Sequence, residues 1–112
     1  MTTDTSTQQK IEQLQLLEQS MQNLLSQKQT FQSQLVETES AIAEIQKSPT
    51  AYKIVGSIMV LTSKDELRKE LGSRKEMFDM RIKAIEKQES RLKEKAGALQ
   101  KEVLGSMQEE QK

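Results

Sequence analysis

The sequence has no cysteine, histidine or tryptophan, a single proline, and three aromatic residues among 112. Without cysteine there can be no disulfide and no thiolate metal ligand, a composition compatible with a reducing compartment. Without histidine or cysteine the usual nucleophiles and general bases are missing. The carboxylates that remain alternate with Lys and Arg, as on solvated helix faces, and no phosphate-binding glycine loop or metal-ligand spacing occurs. We therefore expect no enzyme, no catalytic residue, no metal site and no cofactor. Charge of one sign is lacking too: 17 acidic residues balance 17 basic ones. Nucleic-acid binding by phosphate neutralisation thus has no footprint. The longest mostly apolar run, IVGSIMVL at 54–61, is far shorter than the ~20 residues of a membrane-spanning helix. The opening MTTDTSTQQK has neither the basic nor the apolar region of a secretion signal. The expectation is a cytoplasmic chain with no membrane partner.

Core-forming residues are scarce as well. Leu, Ile, Val and Phe number 25 of 112, about 22% and close to the level below which chains stay disordered. So few large side chains suit narrow seams on long helices better than a compact globular core. The arrangement agrees. From Leu14, alternating steps of three and four residues pass through Leu17, Met21, Leu24, Lys28, Phe31, Leu35, Thr38, Ile42 and Ile45, and eight of these ten positions are apolar. This spacing predicts a coiled-coil helix over 8–47, preceded by a flexible segment 1–7 and ended by Ser48-Pro49.

A second helix is expected over 63–108, with a tail at 109–112. Ser63 followed by Glu66 fits a capping box, and Asp65 places favourable charge in the first turn. Its seam runs through Leu67, Leu71, Phe78, Ile82, Ile85, Leu92, Ala96, Leu99 and Val103. Near Phe78 to Ile82 the steps do not close a heptad, which reads as a stutter. The first 47 residues carry six acids and three bases, and residues 64–112 carry eleven acids and thirteen bases, a mild opposition that suits two segments side by side. A short connector between seams of matched length predicts an antiparallel pair, with Phe31 near the level of Phe78. Helix 2 contains Gly72, Gly97 and Gly105 where helix 1 has none. Its far end should therefore fray.

The connector is unlike the helices. Residues 50–62 hold the only tyrosine and two of the four valines. Gly56-Ser57 suits a type II′ turn. That turn pairs Val55 with Ile58, Ile54 with Met59, Lys53 with Val60 and Tyr52 with Leu61. Tyr52, Ile54, Met59 and Leu61 then form one apolar face, while Val55, Ile58 and Val60 make the other mostly apolar. An isolated two-stranded hairpin is marginally stable in water and has two open edges. Tyr52, Ile54, Val55, Ile58, Met59, Val60 and Leu61 are accordingly read as an assembly interface with other subunits.

Helix, "YKIVGSIMVLTSKDEL" hairpin and returning helix together resemble a prefoldin subunit. The most specific stretch is Tyr52, Lys53, Val55 and Gly56, followed by the apolar second strand and the capped helix. The single hairpin is similar to the β class rather than the two-hairpin α class, and the short termini look archaeal. One departure is the brief SPTAYK approach to the first strand. The resemblance implies a mainly α fold: two long helices in an antiparallel coiled coil, joined by a central β-hairpin that assembles into an intersubunit β-barrel. It further implies a hetero-hexamer of two α-type and four β-type subunits, an ATP-independent holdase. Such a holdase captures unfolded client polypeptides at its coiled-coil tips and delivers them to a group II chaperonin.

Apolar residues gather at the helix ends remote from the hairpin: Ile11, Leu14, Leu16 and Leu17, then Leu99, Val103, Leu104 and Met107. Exposed apolar clusters rimmed by polar groups mark interaction surfaces, and methionine adapts to varied partners. With the resemblance, these eight are the candidate client-binding residues. Leu14, Leu17 and Leu99 fit the seam itself equally well. Another reading of the whole is a coiled-coil structural adaptor that oligomerises through its hairpin and binds one dedicated partner.

Overall fold

The computed structural model describes residues 5–110. Four elements follow one another: α1 (Thr5–Lys47), β1 (Ala51–Val55), β2 (Ile58–Thr62) and α2 (Lys64–Glu110). Residues 1–4 and 111–112, part of the segments expected to be flexible, lie outside the described residues. The helix α1 begins three residues before the expected start at 8, because the seam continues downward in polar residues. Thr7, one heptad below Leu14, is only 1% exposed, and Lys10 is half-buried. All of the three-four positions from Thr7 to Ile45 are buried or half-buried. Thr38 is tolerated among them because its Oγ1 donates to the Gln34 carbonyl at 2.7 Å, the local satisfaction a buried hydroxyl needs.

Helix α1 ends as the proline dictates. The Ser48 amide donates to the carbonyls of Glu44 (3.1 Å) and Ile45 (3.3 Å), and the Ser48 hydroxyl donates to the Thr50 carbonyl at 2.7 Å, bridging Pro49. Helix α2 opens on the expected N-cap. The Glu66 amide donates to Ser63 Oγ at 3.4 Å, and the Leu67 amide donates to the Ser63 carbonyl at 3.0 Å. It runs through Gly72, Gly97 and Gly105 without a break and extends two residues past the expected 108.

The fold divides into two compact units, each built from a segment of either helix. The hairpin unit spans Lys28–Lys83. Its strands pair antiparallel in the register expected from the turn, from Val55 opposite Ile58 to Ala51 opposite Thr62. Gly56 has φ 62°, and no other described residue has a positive φ, so Ser57 keeps a negative one, as in a type II′ turn. Ala51, Leu71 and Ile82 are buried here. The Phe31 and Phe78 rings lie 6.2 Å apart, tilted at 35°, which places the two helix segments side by side at the expected level. The Arg81 guanidinium sits 5.3 Å from the Phe31 ring centre, within cation–π range. At the stutter Ile82 is buried, and Phe78 and Asp79 are half-buried.

The other unit pairs the outer parts of the helices, up to Gln27 on α1 and from Ala84 on α2. Thr7, Ile85 and Val103 are its buried residues. Lys10 Nζ lies 3.2 Å from Glu102 Oε2, while farther along α1 Leu17 shares a groove with Lys95 and Leu99, so the helix segments run antiparallel in this unit as well. The pair is partly exposed, so it contributes no more than about 1 kcal/mol.

Candidate assembly and client-binding surfaces

The hairpin carries the most exposed apolar surface among the described residues. All seven residues read as an assembly interface stand open: Tyr52, Ile54, Val55, Ile58, Met59, Val60 and Leu61 are between 45% and 70% exposed. On one face Tyr52, Ile54, Met59 and Leu61 are all exposed, with Tyr52 and Ile54 edging a cleft shared with Ala41, Ile45, Leu67 and Leu71 of the helices. The opposite face is covered only at its base, where Ala51 is 5% exposed and Lys53 and Thr62 are half-buried. No further strand flanks β1 or β2 among the described residues, so both edges present unpaired backbone groups.

One charged residue ties the hairpin to a helix. Lys53 Nζ, from β1, is 3.0 Å from each carboxylate oxygen of Glu70 on α2. The same carboxylate accepts from Arg74 at 3.4 Å. The sequence alone gives no sign that Lys53 reaches Glu70, because a strand-to-helix contact has no fixed spacing. Ala51 was likewise missed as a core residue.

The eight candidate residues of the terminal unit separate into two groups. Leu14, Leu17 and Leu99 are half-buried, and so is Ile11. Val103 is 8% exposed and packs in the seam. Leu16, Leu104 and Met107 are open, at 64%, 59% and 45%. Leu16, Leu17 and Ser20 of α1 and Lys95, Ala98 and Leu99 of α2 line a groove of about 490 Å³. Leu16 thus forms the outer wall of a trough whose floor is seam. Ala98 was not singled out from the sequence, since alanine carries little pattern signal. No group of three or more His, Cys, Asp or Glu residues is arranged to hold a metal ion among the described residues. No described helix is long and apolar enough to cross a membrane.

Two long helices joined by a β-hairpin, with exposed apolar side chains on the hairpin and on the outer parts of the helices, define a coiled-coil hairpin protein. The sequence matches the Prefoldin subunit family over residues 8–110. It is 35% identical to the prefoldin subunit beta of Archaeoglobus fulgidus, across 83% of each chain. It is 37% identical to that of Methanothrix thermoacetophila, across 89% of this chain and 86% of the relative. Among solved structures it is similar to the prefoldin beta subunit from Thermococcus strain KS-1, with a TM-score of 0.87 and 32% identity over 94% of this chain and 95% of that one. The chain belongs to the prefoldin family, in its β-subunit class. It is a chaperone subunit that works in a hetero-oligomer with other prefoldin subunits.

Proposed function

We propose that this chain is the β-type subunit of a cytoplasmic prefoldin hetero-hexamer of two α-type and four β-type subunits. The hexamer holds unfolded polypeptides without ATP and delivers them to a group II chaperonin. In this reading Tyr52, Ile54, Val55, Ile58, Met59, Val60 and Leu61 join neighbouring hairpins into an intersubunit β-barrel. The helix ends hold clients.

One observation carries the client-binding part: Leu16, Leu104 and Met107 stand exposed beside a seam whose residues are buried or half-buried. Fully burying a Leu or Met side chain is worth roughly 1.5–3 kcal/mol. A client segment reaching several such residues on several subunits gains micromolar holding without a shaped pocket. Ile11, Leu14, Leu17, Leu99 and Val103 act behind them as the floor, reached when the seam loosens.

The test is the triple variant Leu16→Gln, Leu104→Gln, Met107→Gln, assembled with an α-type subunit and challenged with several unrelated denatured proteins. Suppression of aggregation is expected to fall several-fold while the particle mass stays that of the unaltered oligomer. Undiminished suppression means clients bind elsewhere. Tight binding to one folded partner, with no suppression by the unaltered protein, would favour the adaptor reading instead.

A further inference from the structure

We propose that the Lys53–Glu70 ion pair is a face selector, fixing which of the hairpin's two apolar faces turns its base toward the helices, and so how the exposed remainder is presented to a neighbouring chain. The inference rests on the reading of the hairpin as the assembly element.

The problem it solves is set by the sequence of the strands. Apart from Lys53, every residue of β1 and β2 is apolar or Thr. Both faces are therefore greasy enough to seat on the helices, and apolar packing by itself discriminates weakly between two such faces. An ammonium cannot enter an apolar seat without a partner, and cannot easily cross to a face that is to be buried between chains. Lys53 belongs to the Ala51–Lys53–Val55 face. Its Nζ lies 3.0 Å from both Glu70 oxygens, and its side chain is 40% exposed. With that contact made, the Ala51–Lys53 end of its face turns toward the helices, and Tyr52, Ile54, Met59 and Leu61, 55–70% exposed, lie on the other face.

Reversing the seat would strand the Lys53 charge on the outward face and press an apolar side chain against the Glu70 carboxylate. The pair therefore acts through the cost of the wrong arrangement more than through its own strength, which is how charges usually confer specificity. Arg74, 3.4 Å from the same carboxylate, leaves Glu70 held on both sides. Lys53 is thus a positioning residue for assembly, not part of the contact between chains.

The experiment reads particle mass by light scattering for the full chain mixed with an α-type subunit, with helical content measured in parallel. Glu70→Lys places three cations together, and we expect the concentration needed for assembly to rise about tenfold or more, at unchanged helical content. Combining it with Lys53→Glu restores opposite charges, because the strand would then offer a carboxylate to the new ammonium on α2 and to the Arg74 guanidinium. Assembly should return to within a few-fold of the unaltered chain. Assembly of Glu70→Lys at the unaltered concentration overturns the proposal, and so does failure of the exchanged pair to rescue. Ile54→Asp separates this from the underlying reading. If it too assembles normally, the hairpin is not the assembly element. If it blocks assembly while Glu70→Lys does not, only the selector falls.

Discussion

At Gly56 the backbone takes φ 62°, in a region where an L-residue's Cβ meets its own carbonyl at a cost of roughly 1–2 kcal/mol. The space around it is open, with nothing within 4 Å of a Cβ built there. Conformation alone therefore decides the effect of a substitution. Gly56→Ala should destabilise the assembled protein by about 1–2 kcal/mol per chain in denaturant titrations, whereas Ser57→Ala should stay within about 0.5 kcal/mol. Equal effects would mean that the turn is not held in this geometry. The glycine was legible in the sequence because turn chemistry depends on one residue. The first turn of α1 was not, since Thr7 and Lys10 occupy seam positions without being apolar. Lys53–Glu70 was not legible either: a long flexible cation reaching from strand to helix leaves no periodic trace.

Among the elements, the hairpin was the most readable. A two-residue turn fixes register, register fixes which side chains share a face, and every expected pairing occurs. The seams were nearly as readable, because a burial stripe at three-four spacing has one interpretation on a long helix. Exposure at the helix ends was less so. Whether Ile11 or Val103 faces solvent depends on where the opposite helix ends and how it turns, which one strand of sequence does not state. Helix α2 tests the expectation of a loose end. Gly97 and Gly105 sit within the helix, and a Cβ at either position meets nothing within 4 Å. Gly97→Ala and Gly105→Ala should each strengthen the local helix by about 1 kcal/mol. Amide hydrogen exchange in the turns around each substituted position should then slow about fivefold. Exchange rates that do not move would show that packing on α1, and not intrinsic helix preference, limits opening there.

If the hairpins join as proposed, stability and assembly are one quantity for the whole molecule. Seven hairpin side chains at 45–70% exposure leave several hundred Å² of apolar surface in water, and the edges leave backbone groups unpaired. Burying such side chains against neighbouring chains recovers on the order of 10 kcal/mol per chain before the costs of association are subtracted. A folded state completed by other copies follows mass action, so its melting temperature must depend on chain concentration. We expect the midpoint of the subunit mixture to rise by several degrees over a hundredfold increase in concentration. Ile54, the most exposed of the seven at 70%, is the place to break the dependence. An aspartate there would bring an unpaired charge into the proposed interchain contact, a penalty of several kcal/mol repeated in every copy. Ile54→Asp should therefore remain helical yet melt at a lower temperature that no longer varies with concentration. A flat midpoint for the unaltered protein would place its stability within the single chain, and the hairpin would then have to be exposed for another purpose.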